Sequence, residues 1–285
     1  MDYADLLTKS KIMTSSPDTV LAVFFLSLAR MIPIVALAPF FGARILPHSV
    51  KFILCLCLVV VVIPKVMLSI SSPLPFNLTL MMLFGKEIMI GIIIGFFVTL
   101  PFLILSSSGV LIDHQRGAAS LLVNDPTIQN QSSPLGTLFN LVLICIFFAA
   151  DGPFYVIDTI FSSYDLVPVD KFLSPLFFIQ ESPLRERVTH SLQTFATLSI
   201  QFAMPGLLIM LMTDSFLGII NRLAPQIQIT FLGMGLKSWL AIFIVCLSWS
   251  PLVDQMGKQI TIWLHEFLQL VQELSIGQGA SIPVP

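Results

Sequence analysis

Asp113, His114 and Arg116 stand within four positions of one another, and Asp125 follows nine residues later. An aspartate beside a histidine could relay protons or support a nucleophile. Neighbours in sequence do not face each other on a helix, however, and no serine or cysteine motif accompanies the pair. The sequence carries no phosphate loop, zinc spacing, nucleophile elbow or dinucleotide glycine pattern. No catalytic, cofactor-binding or metal-ligating residue is assigned, and an enzymatic role is disfavoured. A second group of reactive side chains lies inside apolar runs: Arg30, and the adjacent Lys86 and Glu87. An ionised group at mid-span facing lipid costs at least about 2.5–3.5 kcal/mol. Arg30 must therefore face protein or water, and the Lys86–Glu87 pair is expected to be functional or to meet another subunit.

The elements that must hold these residues are apolar. The chain of 285 residues is 56% hydrophobic and 11% charged, with a mean hydropathy of +0.94. Soluble domains carry about 25% charge, so this composition cannot build a water-facing surface. It fits an integral membrane protein or a subunit buried in an assembly. The net charge of -2 gives no footprint for nucleic acid. The four cysteines, Cys55, Cys57, Cys145 and Cys246, all lie in apolar runs. They are expected to be small buried hydrophobes. Lys9 and Lys11 ahead of an apolar stretch resemble a signal peptide, but Arg30 and the length of the run favour a retained helix.

Read in order, Val20–Phe41 is long enough to span, with Asp18 as its cap and Pro33 as a kink. A turn at Gly42–Pro47 leads into Lys51–Ile63, which ends at Pro64 and completes a hairpin. A Ser/Pro linker at 69–75 follows. Phe76–Leu105 is 30 residues, overlong for the bilayer, and Gly91 and Gly95 on it make a close-approach face. Ser106–Gly136 reads as a polar irregular loop, which lipid would not tolerate unless protein or a water-filled cavity surrounded it. Leu135–Ala150 is a short helix broken by Asp151-Gly152-Pro153. Phe154–Phe161 resumes, and Ser162–Arg187 is a loop region. Thr189–Met212 is the next long helix, Asp214–Lys237 a second polar break, Ser238–Leu252 a short helix, and Asp254–Leu274 an amphipathic one. Residues 275–285 are expected to be disordered. The fold class is all-α: membrane-associated kinked helical hairpins, about six long apolar helices and a C-terminal amphipathic helix. The basic residues do not settle orientation, although Arg44, Lys51, Arg116, Arg222 and Lys237 slightly favour their loops as cytoplasmic.

The stretches GVLIDHQRG and NDPTIQNQSSPLGTLFNLVLICIFFAADG, with LARMIPIVALAPFFGARILPHSVKFILCL before them and NRLAPQIQITFLGMGLK after, resemble the FliR/SctT family. These are the T-type export-gate proteins of type III secretion and of the flagellum. The resemblance covers about Val20 to Leu252. It implies assembly with R-type and S-type subunits and a U-type switch protein in the bacterial inner membrane, with the subunits raised out of the membrane plane and unfolded secreted proteins as cargo. It also implies an R-like half, 1–188, and an S-like half, 189–274. A plug loop at about 109–134 would close the lumen, with Asp113, Gln115, Arg116, Gly117, Asp125 and Pro126 as landmarks. Its departure from the family pattern is a more polar His114-Gln115-Arg116. A turn at Pro225–Lys237 would lie near the entrance, with Gln226 and Gln228 inward. Met81, Met82, Met204, Met210, Met212 and Met234 are read as core filling rather than a gasket. The rival reading is a multi-span secondary transporter of a small solute, which broken helices and intramembrane charges would suit.

Overall fold

A computed structural model describes residues 17–41, 47–70, 74, 77–117, 133–172, 183–224 and 229–276. Among these the chain is helical: α1 Pro17–Leu37, α2 His48–Ser69, α3 Leu78–Gln115, α4 Pro134–Ala149, α5 Gly152–Leu166, α6 Pro183–Leu223, α7 Ile229–Leu247 and α8 Trp249–Ile276, with one 3-10 turn at Pro39–Phe41. Four helices are long and apolar enough to cross a membrane. Counting the broken pairs α4–α5 and α7–α8 as one span each raises the number to six.

The helices are longer than their apolar runs. α2 continues through Pro64 to Ser69 rather than stopping there. The proline removes one backbone bond, but Val62 and Val66 on either side are buried, so packing holds the helix together. α1 begins at Pro17, which places Asp18 inside the first turn instead of at the cap. α3 runs 38 residues, to Gln115. The expected irregular loop therefore starts only after Gln115, because the serines at 106–108 and Asp113 keep helical backbone bonds. α6 runs 41 residues through Pro205 and past Asp214. The second polar break thereby shrinks to a few residues after Leu223, and Lys237 lies on α7 rather than in a turn. The short helix expected at 238–252 is divided at Ser248, and the amphipathic helix already begins at Trp249. Its Ile260, Leu264 and Phe267 are buried.

Two compact units are formed: residues 1–100, 151–189 and 263–285 in the first, 101–150 and 190–262 in the second. In the first, α1 packs on α2 and α2 on α5. Its core holds Leu26, Ile34, Val59, Ile90, Ile94 and Ile160. The expected close-approach face on α3 is used here. A Cβ on Gly91 would overlap the Arg30 carbonyl oxygen, and one on Gly95 would sit 3.1 Å from the Pro33 oxygen. The Thr99 hydroxyl lies 2.7 Å from the Gly95 carbonyl of its own helix and 3.0 Å from the Leu37 carbonyl at the end of α1. In the second unit, Phe139, Leu143 and Phe147 repeat every fourth residue on α4 and are buried. Phe147 meets Phe102 edge to face at 5.5 Å. Gly206, beside the α6 proline, lies against Ile112, whose Cγ1 would be 3.0 Å from an added Cβ.

Among the cysteines only Cys55 is buried; Cys57, Cys145 and Cys246 are exposed. They sit on the outward faces of their helices, so the expectation of burial fails for these three. The α3 glycines separate by test. Gly91→Ala should destabilise the protein by about 1–3 kcal/mol, since backbone atoms of α1 cannot yield as a side chain would. Gly85→Ala, which meets nothing within 4 Å, should be neutral or gain up to about 1 kcal/mol. Thermal unfolding in detergent compares the two.

Candidate functional site

Arg30 is fully buried, and it is satisfied inside the first unit. Its Nε donates to Glu87 Oε2 at 2.5 Å and its Nη2 to Glu87 Oε1 at 3.0 Å, a two-pronged pair. Nη1 donates to the Ser163 carbonyl at 2.9 Å and to its hydroxyl at 3.2 Å. Nη2 also donates to the Val167 carbonyl at 2.8 Å. A guanidinium has five N–H groups, and these five bonds use them all. The cation lies 4.2 Å from the centre of the Tyr164 ring, whose hydroxyl donates to the Ser27 carbonyl at 3.2 Å. Ser163 and Val167 are the carbonyls at the C-terminal end of α5, where a positive charge is favoured.

Lys86 extends the same arrangement. Its Nζ lies 2.8 Å from Glu87 Oε1. It donates to the carbonyls of Pro168 and Lys171, each at 2.8 Å. The lysine thus holds the chain that leaves α5. Although adjacent on α3, Lys86 and Glu87 converge because both turn toward α5. Arg30, Lys86 and Glu87 are satisfied by one another and by backbone carbonyls of their own chain, so they do not need a neighbouring subunit to be buried. Lys65 and Asp165 pair at 2.8 Å on the exposed side of the same unit.

The second constellation joins α3 to α4. Asp113, 4% exposed, accepts from Ser133 Oγ at 2.5 Å and from the Leu135 backbone N–H at 3.0 Å. Its other oxygen lies 2.8 Å from Arg116 Nε. Ser133 is the N-cap of α4, its hydroxyl accepting from Gly136 N–H at 2.8 Å, with Pro134 at the first helical position. A carboxylate at this helix start is favoured by the aligned peptide dipoles. The helices can come this close because Gly109 and Gly136 touch: a Cβ on Gly109 would overlap the Gly136 backbone, and one on Gly136 would be 2.8 Å from the Ser106 oxygen. Asp113 therefore ties together the two ends of the segment between Gly117 and Ser133. Gln115 ends α3, and Arg116 and Gly117 form the turn after it, Gly117 with a positive φ of 88°. His114 is exposed and does not share the Asp113 site.

Asp125 and Pro126 lie outside the described residues, as do Pro225, Gln226 and Gln228. Lys237 pairs with Asp214, joining α7 to α6 within the second unit. Of the six methionines read as core filling, only Met210 is buried. Met81, Met82, Met204, Met212 and Met234 are exposed, and core filling fails for those five. Sequence reasoning missed Ser163, Tyr164, Gly109 and Gly136. Ser133-Pro134 carried a helix-start signal, but the glycine contact spans 27 residues and leaves no local trace.

Among the described residues this is an all-helical protein with four to six candidate membrane spans, and charges buried among its apolar helices bind them together. A family model for bacterial export proteins, family 1, matches residues 21–262. The chain belongs to that family, the FliR/SctT proteins of the type III export apparatus. It is 31% identical over 196 residues to the Yop proteins translocation protein T of Yersinia pestis, covering 69% of this chain and 74% of that one. It is 28% identical over 216 residues to the surface presentation of antigens protein SpaR of Shigella flexneri (76% and 80%). It is 25% identical over 217 residues to the flagellar biosynthetic protein FliR of Pectobacterium carotovorum (74% and 77%).

Glu87→Gln should lower stability by about 3–5 kcal/mol, because it leaves the buried Arg30 unpaired. Lys65→Ala, at an exposed pair, should change it by less than about 1 kcal/mol. Yield and unfolding temperature in detergent measure both, and equal effects would show that Glu87 is not the partner on which Arg30 depends.

Proposed function

We propose that the chain is a non-enzymatic subunit of a type III protein-export gate in the bacterial inner membrane. With R-type and S-type subunits and a U-type switch protein it would build the conduit through which unfolded proteins pass. The carrying observation is the family match across residues 21–262. The relatives' names point to translocation and to flagellar biosynthesis. In this reading residues 1–188 are the R-like half and 189–274 the S-like half, and the assembled subunits are raised toward the periplasm.

The segment 109–134 acts as the plug of the closed lumen. Two observations support that role. Asp113 joins the residues that flank the polar insert, Arg116 before it and Ser133 after it. The insert is also too hydrophilic for lipid, so a water-filled conduit is the environment that accepts it. Residues 225–237, with Gln226, Gln228 and, on α7, Lys237, stand near the entrance. Energy for transport comes from another component, since this chain has no nucleotide-binding motif. A secondary transporter would be stable and bind solute alone, whereas a gate subunit should co-purify with its partners.

Deleting Ala118–Ser132 should make cells permeable to small solutes while secretion partly survives. Solute uptake and secreted protein are measured in the same strain. Unchanged permeability with the protein present at normal level removes the plug.

A further inference from the structure

The second unit carries two kinds of outer surface. On α6, Ile200, Met204, Leu208 and Leu211 form an exposed apolar stripe, and on α7 Trp239, Phe243 and Leu247 do the same. A second stripe on α6 is polar: Gln193, Thr197 and Gln201, at positions i, i+4 and i+8, are all exposed. Asp254, Lys258 and Thr261, at positions i, i+4 and i+7 of α8, are exposed as well, with Ile262 at the border of that side. Behind them Leu252, Met256 and Ile260 are buried, so the polar side of α8 is its free side. Gln201 and Gln255 line one cleft of about 330 Å³, which brings the polar sides of the two helices to the same place.

Their depth gives these stripes a meaning. Lys237 pairs with Asp214, which sets α6 and α7 at one level, at the end of the uncharged α6 run Ser191–Thr213. From there α7 continues to Leu247, about 15 Å further, and the chain bends by 63° into α8. On that slant each residue of α8 advances about 0.7 Å, so Asp254, Lys258 and Thr261 stand about 19, 22 and 24 Å beyond the Asp214–Lys237 level. Along α6, Gln201 and Thr197 stand about 20 and 26 Å beyond it. The two sets of levels agree, as the shared cleft requires, and all lie within about 30 Å of hydrocarbon. An ionised aspartate facing lipid there is costly, and Asp254 is too short to reach the far edge, about 11 Å away. A dry protein neighbour would have to satisfy every one of these groups in turn, whereas water satisfies them all. The contrast between the two sides holds equally where protein replaces lipid around the apolar stripes. We propose that the α6–α8 face of the second unit borders the water-filled conduit, with Gln201, Asp254, Lys258 and Thr261 wet at mid-depth. The inference rests on the export reading and adds a wall to it. A surface of amides, a hydroxyl and one charge of each sign favours no single class of cargo side chain, which suits a passage for many sequences.

The test uses the assembled export complex in open membrane fragments, which admit a charged thiol reagent from both sides. The exposed native cysteines, Cys57, Cys145 and Cys246, are first changed to alanine. Gln201→Cys, Lys258→Cys and Thr261→Cys are then compared with Leu208→Cys and Phe243→Cys on the apolar stripes. The first three should react at least about tenfold faster, because a thiol in water ionises more readily than one against an apolar surface. An exported fusion protein stalled in the conduit should slow them to the rate of the apolar pair. Uniformly slow labelling would show that lipid or protein covers the polar side. Fast labelling that the stalled fusion leaves unchanged would put that side in water outside the conduit. Either result overturns the proposal. All five positions are exposed, so the fold should persist, and recovery of intact complex from each variant checks that. Loss of secretion when the whole chain is removed tests the export reading by itself, so the wall can fail while that reading stands.

Discussion

A guanidinium with no exposure to solvent lies at the centre of the first unit, and the surrounding helices are arranged to satisfy it. Arg30 sits on an apolar helix, where an unpaired charge would cost several kcal/mol. Five acceptors surround it, from the Glu87 carboxylate on α3 and from Ser163 and Val167 at the end of α5. No single helix could supply them. α1 must therefore meet α3 and α5 in one register, and Gly91 removes the side chain that would prevent it. Buried ion pairs often add little net stability compared with apolar packing of the same volume. Their stronger effect here is on specificity: smooth aliphatic helices can slide past one another, whereas this one is fixed at a single residue.

Some of this arrangement is legible in the amino-acid sequence. Arg30, Lys86 and Glu87 stand out because charges are rare in apolar runs, and Gly91 and Gly95 have the spacing of a close-contact face. That Arg30 and Glu87 are partners is not legible, since 57 residues separate them and neither flank hints at the other. The helix ends differ from their expected places for one physical reason. Hydropathy marks where a helix leaves lipid, not where its backbone bonds stop. Ser106–Gln115 and Asp214–Leu223 are polar or charged in part, yet they remain helical because their hydrogen bonds are internal to the helix. The break at Asp151 falls where the sequence places it because its signal is local: Gly152 and Pro153 follow it, and Asp151 itself takes a left-handed φ of 54°.

In the second unit a single carboxylate does what the guanidinium does in the first. Asp113 satisfies the start of α4 and holds Ser133 and Arg116. The two sites differ in what surrounds them. Arg30 is enclosed on all sides, whereas Asp113 stands at the edge of a turn, with Arg116 partly exposed. A bond network at an edge is easier to open than one in a core, because water can replace the lost partners.

Helix length adds a further constraint. As straight rods, α3 and α6 would be about 57 and 62 Å long, against about 30 Å of hydrocarbon. Fitting either by tilt alone would need about 60°, beyond the usual range of about 0–40°. Each contains one uncharged run, Ile88–Ile112 and Ser191–Thr213, about 37 and 35 Å long, which fits with modest tilt. Pro101 and Pro205 fall inside those runs, so the turns flanking each run must stand clear of the hydrocarbon. For α3 the longer flank is Leu78–Glu87, and Leu78, Met81 and Met82 are all strongly exposed on it. If that end stands clear of the hydrocarbon, its exposed apolar side chains are better covered by protein than by water.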